Sequence, residues 1–405
     1  MANSRLDLLT DYPFQRLADL LHGVAPGGTP VIMSIGEPQH QPPAWVADIL
    51  TREAAGWGKY PPISGTVEFR AAAAEWLDRR YGLAGSGLDP DRHLLPLAGT
   101  REGLFQVAQL VLGDGRRKPK NLVLLPNPFY QVYAGATLLA GGEPVFVPAS
   151  GETGFLPDFA DLPAELLDRV ALAYFCSPGN PQGSVASAAR IAHLLQLARR
   201  HDFVIAADEC YSEIYHTAPP PGFLAAARSL GDGFSHLLVF NSLSKRSSAP
   251  GLRSGMVAGD ADLIQDFRRL RAYGGAAVPL PIQAASVALW RDEAHVLESR
   301  ASYNAKFDLA DRLLGDLPAY RRPQGGFFLW LEVGNGEAVT RRLWREAGVK
   351  VLPGAYLGRA DAMGRNPGDA YIRVALVHDQ DTTERALTAL KAVLALPPRR
   401  RMARA

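Results

Sequence analysis

Lys245 stands in the segment Ser242-Leu243-Ser244-Lys245-Arg246-Ser247-Ser248-Ala249-Pro250-Gly251-Leu252-Arg253, which sets an amine between small hydroxyls and an arginine eight residues further on. An amine so placed can form a covalent link to an aldehyde carbon. Ser242, Ser244 and Arg253 offer hydroxyl donors and a fork of guanidinium donors that match a dianionic phosphate. Together these groups describe a site for an aldehyde that carries a phosphate, and pyridoxal 5'-phosphate is the cofactor that fits.

Other residues supply what such a ring requires. Asp208 ends the apolar run 203–207, where an acid is costly to bury unless something positive meets it. A protonated pyridine nitrogen is such a partner; a helix N-cap is the alternative. Tyr211 lies three residues on, so a helical turn after the strand would bring its phenol to the side of the same ring. The amide of Asn180, within Ser177-Pro178-Gly179-Asn180-Pro181-Gln182-Gly183, could donate to the ring's phenolate oxygen, although Asn-Pro among such residues also marks a plain turn. Gly99-Thr100-Arg101 precedes Leu104, Val107, Ala108 and Val111 at helical spacing, which puts free backbone N–H groups where a phosphate can sit. Tyr130 follows Asn127-Pro128-Phe129 and could stack on a flat ring, or pack in the core. Arg373 is a charge inside the apolar stretch 371–376. It needs an anion, either a substrate carboxylate held bidentately or a structural ion-pair partner.

The elements that must carry these side chains are legible as short apolar runs at 121–125, 144–147, 170–176, 203–207, 236–240 and 254–258. Their alternation with helical stretches predicts an α/β fold with a mainly parallel sheet. Ile191, Leu194, Leu195 and Ala198 give the helical spacing of a crossover over 187–200. Lys245 then falls just past the carboxyl end of a strand, the edge of an open α/β sheet where ligands bind. Beyond about residue 280 the pattern changes to long helices, strands at 326–333 and 370–376, and a closing helix. We expect a large domain over 37–296, a smaller α/β domain from 12–36 with 297–398, and termini at 1–11 and 399–405. The punctuation Pro219-Pro220-Pro221-Gly222 reads as an exposed connection.

Bulk properties point to small molecules. The 405 residues carry 43 basic and 41 acidic side chains, a net charge of +2 that gives no electrostatic case for a nucleic-acid or membrane partner. Cys176 and Cys210 lie at or just past the ends of apolar runs and read as buried reduced thiols. The amino terminus lacks the apolar core of a secretory signal and no segment has bilayer length, so a cytoplasmic location is expected. The basic residues of 397–405 read as a solvated tail.

Taken in order, these residues resemble the fold-type I aminotransferases, class I/II, over nearly the whole chain. The resemblance implies Lys245 as the Schiff-base lysine and proton carrier, Asp208 on the pyridine nitrogen, and Tyr211 with Asn180 at the phenolate oxygen. It implies Tyr130 as the stacking ring, and Gly99, Thr100, Arg101, Ser242, Ser244 and Arg253 around the phosphate. Gly36, in Ser34-Ile35-Gly36-Glu37-Pro38, would take the substrate α-carboxylate with Asn180 and Arg373. Tyr60, in Lys59-Tyr60-Pro61-Pro62, is similar to the tyrosine that reaches the partner subunit's phosphate in the family homodimer. Amino acids and 2-oxo acids are the implied substrates; no metal is implied.

A narrower likeness, to the N-succinyldiaminopimelate aminotransferases, rests on three segments. These are Lys245 to Gly255 with Val257-Ala258-Gly259-Asp260, then Tyr273-Gly274-Gly275 through Pro279-Leu280-Pro281-Ile282-Gln283-Ala284-Ala285-Ser286, and Asn366-Pro367-Gly368 ahead of Arg373. It implies amino transfer between N-succinyl-LL-2,6-diaminopimelate and 2-oxoglutarate. Gln182 departs from the threonine usual after Asn-Pro, which touches turn packing more than chemistry. Arg246 and Arg271 are candidates for a second carboxylate site by proximity to these segments alone, a surface role being the alternative for either. The same residues would also serve an aspartate, alanine, aromatic or acetylornithine aminotransferase, or a β-lyase.

Overall fold

The computed structural model describes residues 3–112, 120–318 and 320–395; the basic tail and the expected end of the small domain at 398 lie outside them. Seven strands build the central sheet: β1 (Leu94–Leu97), β2 (Leu122–Asn127), β3 (Glu143–Pro148), β4 (Val170–Cys176), β5 (Val204–Asp208), β6 (Leu237–Ser242) and β7 (Gly255–Gly259). Their order is β1-β7-β6-β5-β4-β2-β3. All run parallel except β7, which lies antiparallel between β6 and β1. Every residue of β2, β4, β5 and β6 is buried. Helices cover both faces, so these strands read as continuous apolar runs instead of alternating ones.

The expected strands are present with boundaries displaced by one or two residues. β1 was not expected: it has four residues, one of them Pro96, and its register with β7 places that proline at the sheet margin. The crossover helix is Ala188–His201; Ser187 accepts from the Arg190 amide at its start, and Asp202 closes it with φ of 54°.

A second core gathers Met33, Phe307, Leu329, Leu343, Ile372 and Leu387. It packs helices Ala294–Leu314, Gly336–Ala347 and Gln380–Ala395 on a three-stranded antiparallel sheet of Leu352–Pro353, Tyr371–Ala375 and Phe328–Glu332. The segment 31–39 belongs here too. Val31–Ile32 pairs parallel with Val349–Lys350. Ala375 donates to the Met33 carbonyl at 2.8 Å and Gln39 to that of Val377 at 3.2 Å. The 219–222 connection is not simply exposed: Pro220 and Gly222 are buried, the glycine where a Cβ would lie 2.4 Å from the ring of Tyr81. Among the described residues no helix is long and apolar enough to cross a membrane.

Candidate active site

Parallel strands end together, and the carboxyl ends of β4, β5 and β6 deliver Cys176, Asp208 and Ser242 to one cavity of about 1150 Å³. Thr100, Arg101, Tyr130, Asn180, Tyr211, Ser244, Lys245, Arg253, Gly36 and Arg373 line the same space.

Lys245 sits in the single turn Leu243–Arg246 that follows β6, and its Nζ donates to the Gly36 carbonyl at 2.5 Å. Removal from water pushes its pKa down to about 8, so about a tenth of it is neutral at pH 7, far more than of an exposed lysine. Asp208 is buried at the end of β5. Its Oδ2 accepts from the Tyr133 hydroxyl at 2.6 Å, while Oδ1 accepts the Cys210 amide at 3.2 Å. The chain after β5 makes turns, not the helix that would have set the Asp208–Tyr211 spacing. Tyr211 reaches the cavity nonetheless, its ring wedged edge-on against Phe327 and Phe328.

The phosphate end is a cradle of backbone and cations. Helix Thr100–Val111 starts at Gly99, which offers no side chain to cap it, so the first amides are free for an anion. Gly99 has φ of 83°, and a Cβ there would lie 2.1 Å from Nη2 of Arg253. Only glycine allows that approach. Arg253 donates to the carbonyls of Pro250 and Ala98, and among the described residues it has no carboxylate partner. The Ser242 hydroxyl accepts the Ser244 amide at 3.1 Å, and Thr100 Oγ1 lies 3.1 Å from Cys210 Sγ. Cys210 is accordingly half-buried at the site instead of enclosed in the core.

Arg373 is buried, over the face of Phe328 at 4.2 Å. Nη1 donates to Asn180 Oδ1 at 3.0 Å and Nη2 to the Ser34 carbonyl at 2.7 Å, while Nε is buried without a partner. The ion-pair alternative finds no carboxylate among the described residues. Burial pushes the guanidinium pKa down to about 10, the mark of a cation missing its anion. Gly36 must be small because a Cβ would meet the Phe328 ring at 2.6 Å.

One expectation is corrected. Arg246 and Arg271 are outside the cavity lining: Arg246 is tied to Glu293 and the Leu289 carbonyl, Arg271 to Glu102 and Gln106. Tyr60 is fully exposed on this chain and does not line the cavity. Tyr130 stands on the wall, where its hydroxyl accepts from Arg101 Nε at 2.8 Å. Tyr133 escaped sequence reading. Its signal was the spacing Tyr130-Gln131-Val132-Tyr133, which a helix start turns onto one side.

The cavity therefore has a lysine amine, a buried acid, Tyr130 and Tyr211 in its wall, an uncapped helix end beside an arginine without a carboxylate partner among the described residues, and a second arginine lacking its anion. These fit pyridoxal phosphate and an α-carboxylate. The chain belongs to the aminotransferase class I and II family, whose model matches residues 29–390, and it is a pyridoxal-phosphate-dependent transferase of amino and oxo acids. An LL-diaminopimelate aminotransferase of Moorella thermoacetica is 31% identical over 96% of this chain and 97% of its own length. The solved aminotransferase from Neisseria meningitidis Z2491 is 42% identical, with a TM-score of 0.91 over 97% of this chain and 100% of that one. Aminotransferase AspB of Helicobacter pylori 26695 is 35% identical, with a TM-score of 0.87 over 95% and 98%.

Proposed function

We propose that this enzyme transfers the amino group between N-succinyl-LL-2,6-diaminopimelate and 2-oxoglutarate. The observation that carries a substrate with several carboxylates is the pair Arg373 and Arg101. Arg373 is the deep cation described above. Arg101, expected at the phosphate, is exposed on the cavity wall; with Nε on Tyr130 and the phosphate left to Arg253, its terminal nitrogens would meet a second, distal acid. Free LL-diaminopimelate is the second reading, favoured by the name of the Moorella relative.

Pyridoxal phosphate, when bound, supplies the electron sink for proton loss at a substrate α-carbon. Lys245 would bond its aldehyde and, once free, Nζ would carry the proton to and from that carbon. Asp208, oriented by Tyr133, would keep a proton on the ring nitrogen. Asn180 Nδ2 and the Tyr211 hydroxyl would donate to the ring oxygen. Thr100, Ser242, Ser244, Arg253 and the amides after Gly99 would hold the phosphate, and Arg373 with Gly36 the α-carboxylate. The exposed Tyr60 is read as reaching a partner's site in a homodimer, and the free thiols suit the cytoplasm.

A panel of amino donors with 2-oxoglutarate tests this reading: N-succinyl-LL-2,6-diaminopimelate, LL-2,6-diaminopimelate, acetylornithine, aspartate and alanine. The succinylated donor should have the highest kcat/KM. Preference for the free diamino acid moves the assignment to the second reading, and release of pyruvate without an acceptor moves it to a β-lyase.

A further inference from the structure

Lys306 lies in the middle of helix Ala294–Leu314 and is 1% exposed. Its Nζ is 2.6 Å from His40 Nε2 and 3.1 Å from the Leu376 carbonyl. Among the described residues it forms no ion pair. His40 also meets Ser302 Oγ at 3.3 Å and packs on the Tyr303 ring, at 4.9 Å between centroids. Burial pushes the imidazole down to about 4, so His40 is neutral and accepts at Nε2. Neither residue lines the main cavity.

Both attachments lead to the site. His40 closes the segment that holds Ser34, whose carbonyl receives Arg373, and Gly36, whose carbonyl receives Lys245. Leu376 follows Arg373 by three residues, one past the end of its strand. One side-chain amine thus pins together the two chain segments that carry Gly36 and Arg373. Burial outweighs the pull of Asp379 and takes the Lys306 pKa down to about 7, and two neutral acceptors with the Tyr303 ring at 4.7 Å do not offset the lost solvation, so fold stability alone does not account for it.

We propose that Lys306 and His40 are positioning residues that set the separation of Gly36 and Arg373, and so the affinity for the substrate α-carboxylate. The inference rests on the carboxylate site described above. The holoenzyme would be compared with Lys306→Met, Lys306→Arg and His40→Gln by calorimetric binding of maleate, an unreactive dicarboxylate, and by hydrogen exchange of residues 33–40. Lys306→Met and His40→Gln should each weaken maleate by about tenfold, the upper end of what loss of one hydrogen bond implies. Exchange over 33–40 should rise, the cofactor absorbance should stay unchanged, and Lys306→Arg should recover most of the affinity. Unchanged affinity and exchange in either variant would overturn the proposal, as would equal loosening of the distant helix Ala188–His201. Should Lys306→Met not fold, His40→Gln decides alone. A wild-type enzyme that fails to bind maleate indicts the carboxylate site, while the exchange data still judge the strut.

Discussion

The hydroxyl of Tyr133 donates to Oδ2 of Asp208 across 2.6 Å, and the phenol is itself fully buried with its ring stacked on Tyr174. Burial, and next the neighbouring acid, raise the phenol's pKa well above its ordinary value, so Tyr133 stays a donor at every working pH. The acid is held in one orientation by a group that cannot lose its proton.

Tyr133→Phe should therefore free the carboxylate without removing it. A hydrogen bond to a charged group is worth about 1.5–3 kcal/mol, which corresponds to roughly 10- to 100-fold weaker cofactor retention. Absorbance titration of the apoprotein with pyridoxal phosphate measures it, and wild-type affinity would show that Asp208 needs no such hold.

Lys245 titrates at about 8 in the folded protein, below its ordinary 10.5. The unfolded chain holds that proton more tightly, so folding pays the full penalty below pH 8, and the apoprotein gains stability as pH rises from 8 toward 10.5. The neutral amine is the nucleophile, so the rate of cofactor capture should climb about tenfold between pH 7 and 9 and then level. Stopped-flow absorbance follows this directly; a rate still climbing at pH 10 would mean an unperturbed lysine. Lys245→Ala should abolish turnover and leave no covalently held cofactor after borohydride reduction.

Arg373→Ala removes the deep cation and should raise KM for glutamate, 2-oxoglutarate and every other α-carboxylate substrate together, by about 100-fold. Arg373→Lys restores charge without the planar fork and should recover only part of the loss. Steady-state kinetics on two unrelated donors is the check, and a loss confined to one donor would place Arg373 at a distal group instead.

Gly99→Ala forces a side chain into a backbone with φ of 83° and ψ of 150°, which glycine alone adopts readily, and onto Nη2 of Arg253. The strain costs about 1–3 kcal/mol, and the displaced guanidinium should erode recognition of phosphate in particular. Comparing affinities for pyridoxal phosphate and for pyridoxal separates the two effects: the ratio between them should shrink.

The central sheet was readable because its strands are buried on both faces, which makes each a continuous apolar run. Lys245, Asp208, Asn180 and Tyr130 were readable for the same reason: each is a polar residue just past such a run. Leu94–Leu97 was not, since four residues with a proline carry no periodic signal. Tyr133 resembled an ordinary core aromatic, and only the fold brings it against an acid 75 residues away. Arg246 and Arg271 misled because adjacency in sequence says nothing of direction. Both guanidinia turn inward to acids on neighbouring elements.

Ser242 pairs with Gly255 across the antiparallel β6–β7 contact, so residues 243–254 form a loop whose two ends are pinned to each other. The lysine and the phosphate-side arginine ride on this one short hoop. Its length is consequently a fixed ruler: inserting or deleting a single residue would set aldehyde and phosphate anchors out of step while leaving the sheet intact.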